Sequence, residues 1–316
     1  MIEPAINSPD AVAVIDASSG LMTTRQELVR GVQAVARVLV SRGVMPEQRI
    51  LMCCVDRPSF LMWFWGAMWL GAVPVPVSTM LTEKDYKFLI EDSRAVGVAF
   101  SEEFEEVITA AAAEQRFLQW SQLDSEVVAS SQDVETPEPY PSTKDDIAFW
   151  LYTSGTTGFP KGAMHRHADL GFCTDMYAST ILEMNASDVV YSVAKLFFAY
   201  GLGNAGYFPA GTGASVVLNP GRPVPETIAA QVTTHRPSLF FGVPTSFAQL
   251  LSSDISDDAF ESVRVAVSAG EPLPADIHRR FRERFGVEIL DGLGTVSYTH
   301  LRAHETEADL VCRLLL

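Results

Sequence analysis

Basic residues are scarce: 23 Lys and Arg stand against 39 Asp and Glu in 316 residues, a formal net charge of −16 at pH 7. Nucleic-acid affinity comes largely from clustered Lys and Arg that neutralise phosphates, so this balance excludes a phosphate-backbone binder and leaves solubility as the meaning of the acidic surface. Cysteine is sparse too. Cys53, Cys54, Cys173 and Cys312 show no metal-ligand spacing, and two adjacent cysteines cannot easily pair with each other. A reducing, cytoplasmic compartment fits that usage. Met1 to Pro9 carries Glu3 and has neither a basic n-region nor an apolar h-region, so no signal peptide is indicated. Repeats at solenoid periods are missing. One long uncharged run exists, Phe60 to Val77, close to the minimum of a membrane span, which needs about 20 residues. Gly66, Gly71 and Pro74-Val75-Pro76 interrupt it, so it reads as a buried helix, a glycine stop and a short strand, not a span.

What is present is apolar material, 47% of the chain, enough for a sizeable core or two packed lobes. Thr24-Arg25-Gln26-Glu27 has capping-box form, Leu28, Val32, Val35 and Leu39 make one stripe, and Gly43 follows as a stop, which predicts a helix. Ile50–Cys54 then reads as a strand, Phe60–Leu70 as a helix, Val73–Val77 as a strand, Glu83–Asp92 as a helix and Val96–Phe100 as a strand. Such alternation favours parallel strands joined by helical crossovers, hence an α/β fold. Residues 127–146 turn polar and proline-rich, read either as a connection between two α/β subdomains, 1–126 and 147–295, or as a long loop within one domain. Beyond it come strands at Ile147–Tyr152, Ala214–Leu218, Leu239–Gly242, Val263–Ser268 and Glu288–Leu290. Helices are expected at Ala168–Leu182, Glu226–His235, Pro244–Leu251 and Pro274–Phe285.

The most informative stretch directly follows the Ile147–Tyr152 strand. Thr153, Ser154, Gly155, Thr156, Thr157, Gly158 and Lys161, closed by Gly162, combine close backbone approach, hydroxyl donors and one positive charge, which is what a polyphosphate needs. It is not a Walker A loop, because counting from Gly155 puts Pro160 at the second glycine and Gly162 at the magnesium-binding Ser or Thr. The run Ser154 to Gly162, SGTTGFPKG, resembles the signature phosphate loop of the adenylate-forming superfamily of acyl-CoA synthetases, peptide-synthetase adenylation domains and luciferases. Two further stretches fit that family in order: Ser268-Ala269-Gly270-Glu271-Pro272 resembles its adenine-side loop, and Asp291-Gly292-Leu293-Gly294-Thr295 the start of its second nucleotide motif. Within the superfamily, Lys195 to Asn204, KLFFAYGLGN, is similar to the benzoate-CoA ligase branch. There the Ala-Tyr-Gly turn helps line the acid pocket, which assigns Phe198, Ala199, Tyr200 and Gly201 to the substrate: Tyr200 can lie flat against a ring while Ala199 and Gly201 leave space for it. The alternative is that these aromatics are simply core.

The resemblance implies that the large N-terminal part of such an enzyme is at hand. In its first half-reaction a carboxylate oxygen attacks the α-phosphorus of ATP, giving acyl-adenylate and pyrophosphate; in the second the thiol of coenzyme A displaces AMP. Thr156, Thr157 and Lys161 would serve catalysis by stabilising the departing pyrophosphate, with Mg2+ offsetting phosphate charge. His165, Arg166 and His167 either face phosphates or serve the surface and packing, and the second reading is preferred. The small-molecule partners are the aromatic acid, ATP and coenzyme A, and the full-length form is a candidate homo-oligomer.

One departure stands out. The family motif continues from Gly-Thr to a Glu that reaches magnesium, whereas Gly294-Thr295 is followed by Val296-Ser297 with no carboxylate before Glu305. Residues 296–316 are therefore expected to be non-native, and the small C-terminal domain with the adenylation lysine is expected to be missing, leaving a fragment inactive alone. His300, His304 and Glu305 do not match the order of an H-E-x-x-H zinc motif. Alternatives are a ligase for another acyl or aryl acid, delivered to coenzyme A or a carrier protein, and an ATP-binding fragment without catalysis.

Overall fold

The computed structural model describes residues 7–127, 135–153 and 160–292. Alternation of helix and apolar strand produces the expected α/β architecture with mainly parallel sheets. A four-stranded sheet has the order β4-β3-β5-β6, made of β3 (Arg49–Cys53), β4 (Val73–Pro76), β5 (Gly97–Phe100) and β6 (Trp120–Leu123), all parallel. A seven-stranded sheet holds β1 (Val12–Asp16), β2 (Met22–Thr24), β9 (Val189–Ser192), β10 (Ser215–Leu218), β11 (Leu239–Gly242), β12 (Val265–Ser268) and β13 (Ile289–Asp291), in the order β13-β12-β11-β9-β10-β1-β2. Only the β1–β2 pair in it is antiparallel. Sheet membership cuts across chain order, because β1 pairs in parallel with β10, Val14 opposite Val216. Between the sheets in sequence, β7 (Ile147–Thr153) and β8 (Lys161–Arg166) form an antiparallel hairpin.

Away from the edge strands β2, β6 and β13 both sheets are buried on both faces, which is why their inner strands read as continuous apolar runs. Neighbouring residues part company across the pleat. Ile50 and Met52 of β3, with Val190, Val216, Leu239 and Phe241 of the larger sheet, enter one core that also takes the helices Arg25–Ser41 and Pro58–Trp69. Leu51 and Cys53 face a second core under the helices Glu83–Ser93 and Glu105–Ala112. Tyr191, Val217, Phe240 and Ala266 face a third, with the helices Pro225–His235, Pro244–Leu251 and Ala275–Phe285. Five layers follow, with Arg25–Ser41 and Pro58–Trp69 the longest of the helices sandwiched between the sheets.

That central pair shows how sequence sets the packing. Thr24 Oγ1 accepts the Glu27 N–H at 3.2 Å while Glu27 accepts the Thr24 N–H at 2.8 Å, closing the capping box. Val32, Val35 and Leu39 are completely buried, each worth roughly 1.5–3 kcal/mol of apolar transfer. Gly66 lets the partner helix approach, since a Cβ there would lie 2.6 Å from the Val35 side chain. The uncharged run at 60–77 is thus a core helix, Pro58–Trp69, leading into β4. Among the described residues no helix is long and apolar enough to cross a membrane.

Candidate active site

The parallel strands of the larger sheet end together, and the aromatic, Ser268–Pro272 and Asp291–Gly292 motifs sit on those ends. Gly242 of β11 lies opposite Ser268 of β12, and Ser268 opposite Asp291 of β13. Strand order reverses about β9, whose chain runs first to β10 on one side and then to β11 on the other. In open α/β sheets such a switch point leaves a crevice beyond the carboxyl ends where ligands bind.

Out of β9 comes the aromatic segment. Phe198 N–H donates to the Lys195 carbonyl at 3.0 Å, and Ala199–Leu202 then makes a single helical turn that continues into a π-helical turn, Gly203–Tyr207. Tyr200 Oη donates to the Val267 carbonyl of β12 at 3.1 Å, and its ring stands edge-on to Phe241 of β11 with centroids 6.3 Å apart. Burial holds the Tyr200 hydroxyl well above its ordinary range, with Tyr177 adding to the rise and the Asn204 amide opposing it. Gly201 is required by space: a Cβ there would overlap the Lys195 carbonyl oxygen and stand 2.5 Å from that of Ala194. Phe197 is buried while Phe198, stacked obliquely on it at 4.5 Å, is 47% exposed.

The turn after β12 brings the second motif alongside. Gly270 has φ +95°, which a glycine adopts without strain. Ser268 and Ala269 are buried, whereas Gly270, Glu271 and Pro272 are exposed. Gly292 N–H donates to the Ser268 carbonyl at 2.7 Å, and Asp291 accepts the Leu273 N–H at 3.4 Å, so the ends of β12 and β13 are stitched together. Among the described residues the fully buried Ser268 hydroxyl finds no hydrogen-bond partner. Buried hydroxyls in native cores are mostly hydrogen-bonded to protein or ordered water, so Ser268 is a hydroxyl available to a ligand or water at this sheet edge. Leu293, Gly294 and Thr295 lie outside the described residues.

The phosphate-loop motif bridges the β7–β8 hairpin. Thr153 and Lys161 face each other at its loop end, and Lys161 is exposed. Ser154, Gly155, Thr156, Thr157 and Gly158 lie outside the described residues. The hairpin itself is firmly seated: Phe149 and Leu151 enter the central core, while Trp150 and Tyr152 pack toward the smaller sheet's outer core. Tyr152 Oη also donates to Asp92 at 2.6 Å. His165 stacks on Phe149 with centroids 4.5 Å apart and planes 5° from parallel, and burial lowers its pKa. Arg166 pairs with Asp145 and Asp169. These two therefore serve packing and capping. Among the described residues no group of three or more His, Cys, Asp or Glu is placed to hold a metal, and His300, His304 and Glu305 lie outside them.

Asp56 escaped the sequence reading, and Lys195 entered it only as the start of the KLFFAYGLGN stretch. Asp56, only 4% exposed, accepts the Leu196 N–H at 3.1 Å and lies 3.9 Å from Lys195 Nζ. Lys195 in turn donates to the carbonyls of Asn219 and Gly221 beyond β10. Burial raises the Asp56 pKa to about 6, with Lys195 and the Leu196 amide opposing the rise, and burial lowers that of Lys195.

Comparison with known proteins agrees with this geometry. The benzoate–CoA ligase of Thauera aromatica is 39% identical over 274 residues, covering 82% of this chain and 50% of that protein. The 4-hydroxybenzoate–CoA/benzoate–CoA ligase of Rhodopseudomonas palustris is 39% identical over 300 residues, covering 92% of this chain and 55% of its own length. The crystal structure of a benzoate CoA ligase from Burkholderia xenovorans LB400 superposes with a TM-score of 0.86 at 37% identity, over 93% of this chain and 60% of that one. The chain spans about half the length of the curated relatives it matches. Residues 3–307 match the family described as AMP-binding enzyme, and with the relatives above that places the chain in the AMP-binding, adenylate-forming family.

Proposed function

We propose that the protein containing this chain is an acid–thiol ligase that activates an aromatic, benzoate-like carboxylic acid with ATP and passes the acyl group to coenzyme A. The observation that carries the reading is the seat of Tyr200: its hydroxyl is tied to the Val267 carbonyl, so the ring is held at the switch-point crevice beside Ser268. A rigid aromatic wall with small neighbours, Ala199 and Gly201, suits a flat ring better than a flexible alkyl chain. The aromatic acids named for the similar ligases support the same choice.

In this reading the acid's carboxylate oxygen bonds to the α-phosphorus of ATP, the bond to the β-phosphate oxygen breaks, and pyrophosphate leaves. The sulfur of coenzyme A then attacks the acyl carbon of the mixed anhydride, and AMP departs with the electron pair. ATP enters as its magnesium complex. Thr153, Ser154, Thr156, Thr157 and Lys161, with the backbone of Gly155 and Gly158, grip the terminal phosphates; Lys161, Thr156 and Thr157 offset the charge that builds on pyrophosphate. Ser268 to Pro272 and Asp291 to Thr295 flank the nucleotide, and Phe198 to Gly201 line the acid. The 127–146 stretch is taken as the connection between two α/β subdomains, residues 296–316 as non-native, and this piece on its own as inactive in ligation. A reducing, cytoplasmic setting belongs to the same proposal.

The test is acid-dependent exchange of pyrophosphate into ATP by the full-length protein, across benzoate, hydroxybenzoates and medium-chain alkyl acids. Benzoate or a hydroxybenzoate should give the highest kcat/KM. Preference for an alkyl acid would overturn the aromatic assignment.

A further inference from the structure

The Ala199-Tyr200-Gly201 turn does not stand on its own sheet alone. The stretch 194–196 forms its floor: the Lys195 carbonyl accepts the Phe198 N–H at 3.0 Å, and the Ala194 and Lys195 carbonyls lie directly under Gly201. That floor is held from the other sheet. Asp56, three residues past the carboxyl end of β3, accepts the Leu196 N–H at 3.1 Å, and Lys195 Nζ lies 3.9 Å from its second oxygen. The same ammonium spans to the carbonyls of Asn219 and Gly221, fixing the loop after β10 as well. A carboxylate 4% exposed, facing one backbone donor and one lysine, is costly to bury unless that geometry is held closely.

We propose that Asp56 is a positioning residue for the aromatic acid site, acting through Leu196 and Lys195 to set the height of the Ala199-Tyr200-Gly201 turn above the strand ends. It touches neither substrate in this scheme. The inference deepens the aromatic-acid reading and rests on it only for its kinetic half.

Two measurements on the full-length protein test it. Hydrogen–deuterium exchange of the peptide spanning 194–202 asks whether the floor loosens without any ligand. Asp56→Ala should speed that exchange by about tenfold, the loss of one hydrogen bond to a charged acceptor, while Asp56→Asn, which keeps an acceptor for Leu196, should fall between it and the parent. Pyrophosphate exchange then separates the substrates: KM for benzoate should rise by about tenfold in Asp56→Ala and KM for ATP should stay within about twofold, because only the acid wall moves. Lys195→Met, at a side chain that is 19% exposed, repeats both measurements should Asp56→Ala fail to fold. Unchanged exchange in the 194–202 peptide overturns the proposal, and so does an equal rise in KM for both substrates. A parent protein that activates no aromatic acid sinks the functional reading, and the exchange measurement still decides whether the tether exists.

Discussion

Gly201→Ala is the most direct probe of the acid wall. A methyl group at this position meets backbone, not a flexible tip: it overlaps the Lys195 carbonyl oxygen and comes within 2.5 Å of the Ala194 carbonyl oxygen. Side chains can swing aside, but these carbonyls are fixed by the Phe198 N–H and by the neighbouring Asp56–Leu196 bond. Overpacking of this kind costs about 1–3 kcal/mol, and replacing glycine in a helical turn returns up to about 1 kcal/mol, so a net loss near 1–2 kcal/mol is expected. For a chain of this size that corresponds to a fall in Tm of about 2–4 °C. Relief requires the Tyr200 turn to rise from the strand ends, so the acid's KM should climb at least about tenfold. Gly171→Ala is the internal control: it is exposed in the helix His167–Cys173 and its Cβ would meet nothing within 4 Å, so Tm should hold or rise slightly. Differential scanning calorimetry and pyrophosphate exchange on parent and both variants decide the matter. Equal Tm and equal benzoate KM in Gly201→Ala and the parent would refute the packing argument.

Lys161→Ala removes an exposed charge, so stability should stay within about 0.5 kcal/mol while calorimetric affinity for ATP–Mg2+ falls sharply; retained affinity would count against the phosphate-loop role. Ser268→Ala removes a fully buried hydroxyl that has no partner among the described residues, so the ligand-free protein should gain up to about 1 kcal/mol in urea unfolding while nucleotide affinity drops. A loss of stability in that variant would mean the hydroxyl is satisfied after all. Asp56 has a folded pKa raised to about 6 from 3.8, so the folded state holds its proton more tightly. The stability this contributes is full below the unfolded value and is lost as pH rises through about 6. Urea unfolding from about pH 4 to about pH 7 should show the parent losing stability relative to Asp56→Asn across that window. A constant difference would place the charge elsewhere.

The strands legible in the sequence were those whose burial on both faces writes a continuous apolar run. Ile50–Cys54, Val73–Val77 and Leu239–Gly242 were expected and appear as Arg49–Cys53, Val73–Pro76 and Leu239–Gly242. The strand Val12–Asp16 went unread although VAVI is itself an apolar, β-branched run; what no local pattern announces is its place in the larger sheet, beside Val216 some 200 residues away. Lys161–Arg166 was hidden for another reason: KGAMHR has neither alternation nor β-branched residues, and it is a strand because Thr153 and its neighbours pair with it. The helix expected at Ala168–Leu182 breaks after Cys173 into a π-helical turn, Thr174–Ser179. Thr174 Oγ1 donating to the Leu170 carbonyl and Thr180 Oγ1 to that of Asp175 draw carbonyls away from the regular ladder.

The nucleotide and acid motifs were legible because each is a short contiguous string, whereas Asp56 was not, and the difference explains how this site is put together. In VDRPS an aspartate has no local meaning; its meaning is a hydrogen bond to a residue 140 positions further on. Parallel pairing lines up the ends of β9, β11, β12 and β13 on one edge, and the reversal of strand order about β9 opens the crevice there. That geometry holds the top of the loop after β9, where Tyr200 Oη bonds the Val267 carbonyl, and ties Lys195 to the loop after β10, but it does not hold the floor of the turn at the Leu196 amide. The missing constraint comes from β3, a strand of the other sheet, through one buried carboxylate. The acid wall therefore depends on both sheets at once, as does the β7–β8 hairpin that carries the phosphate loop, through Phe149 and Leu151 in the central core and Trp150 and Tyr152 against the smaller sheet. It follows that substitutions in the loop after β3 should alter the choice of acid while leaving the grip on ATP intact, a separation that no arrangement confined to the larger sheet would produce.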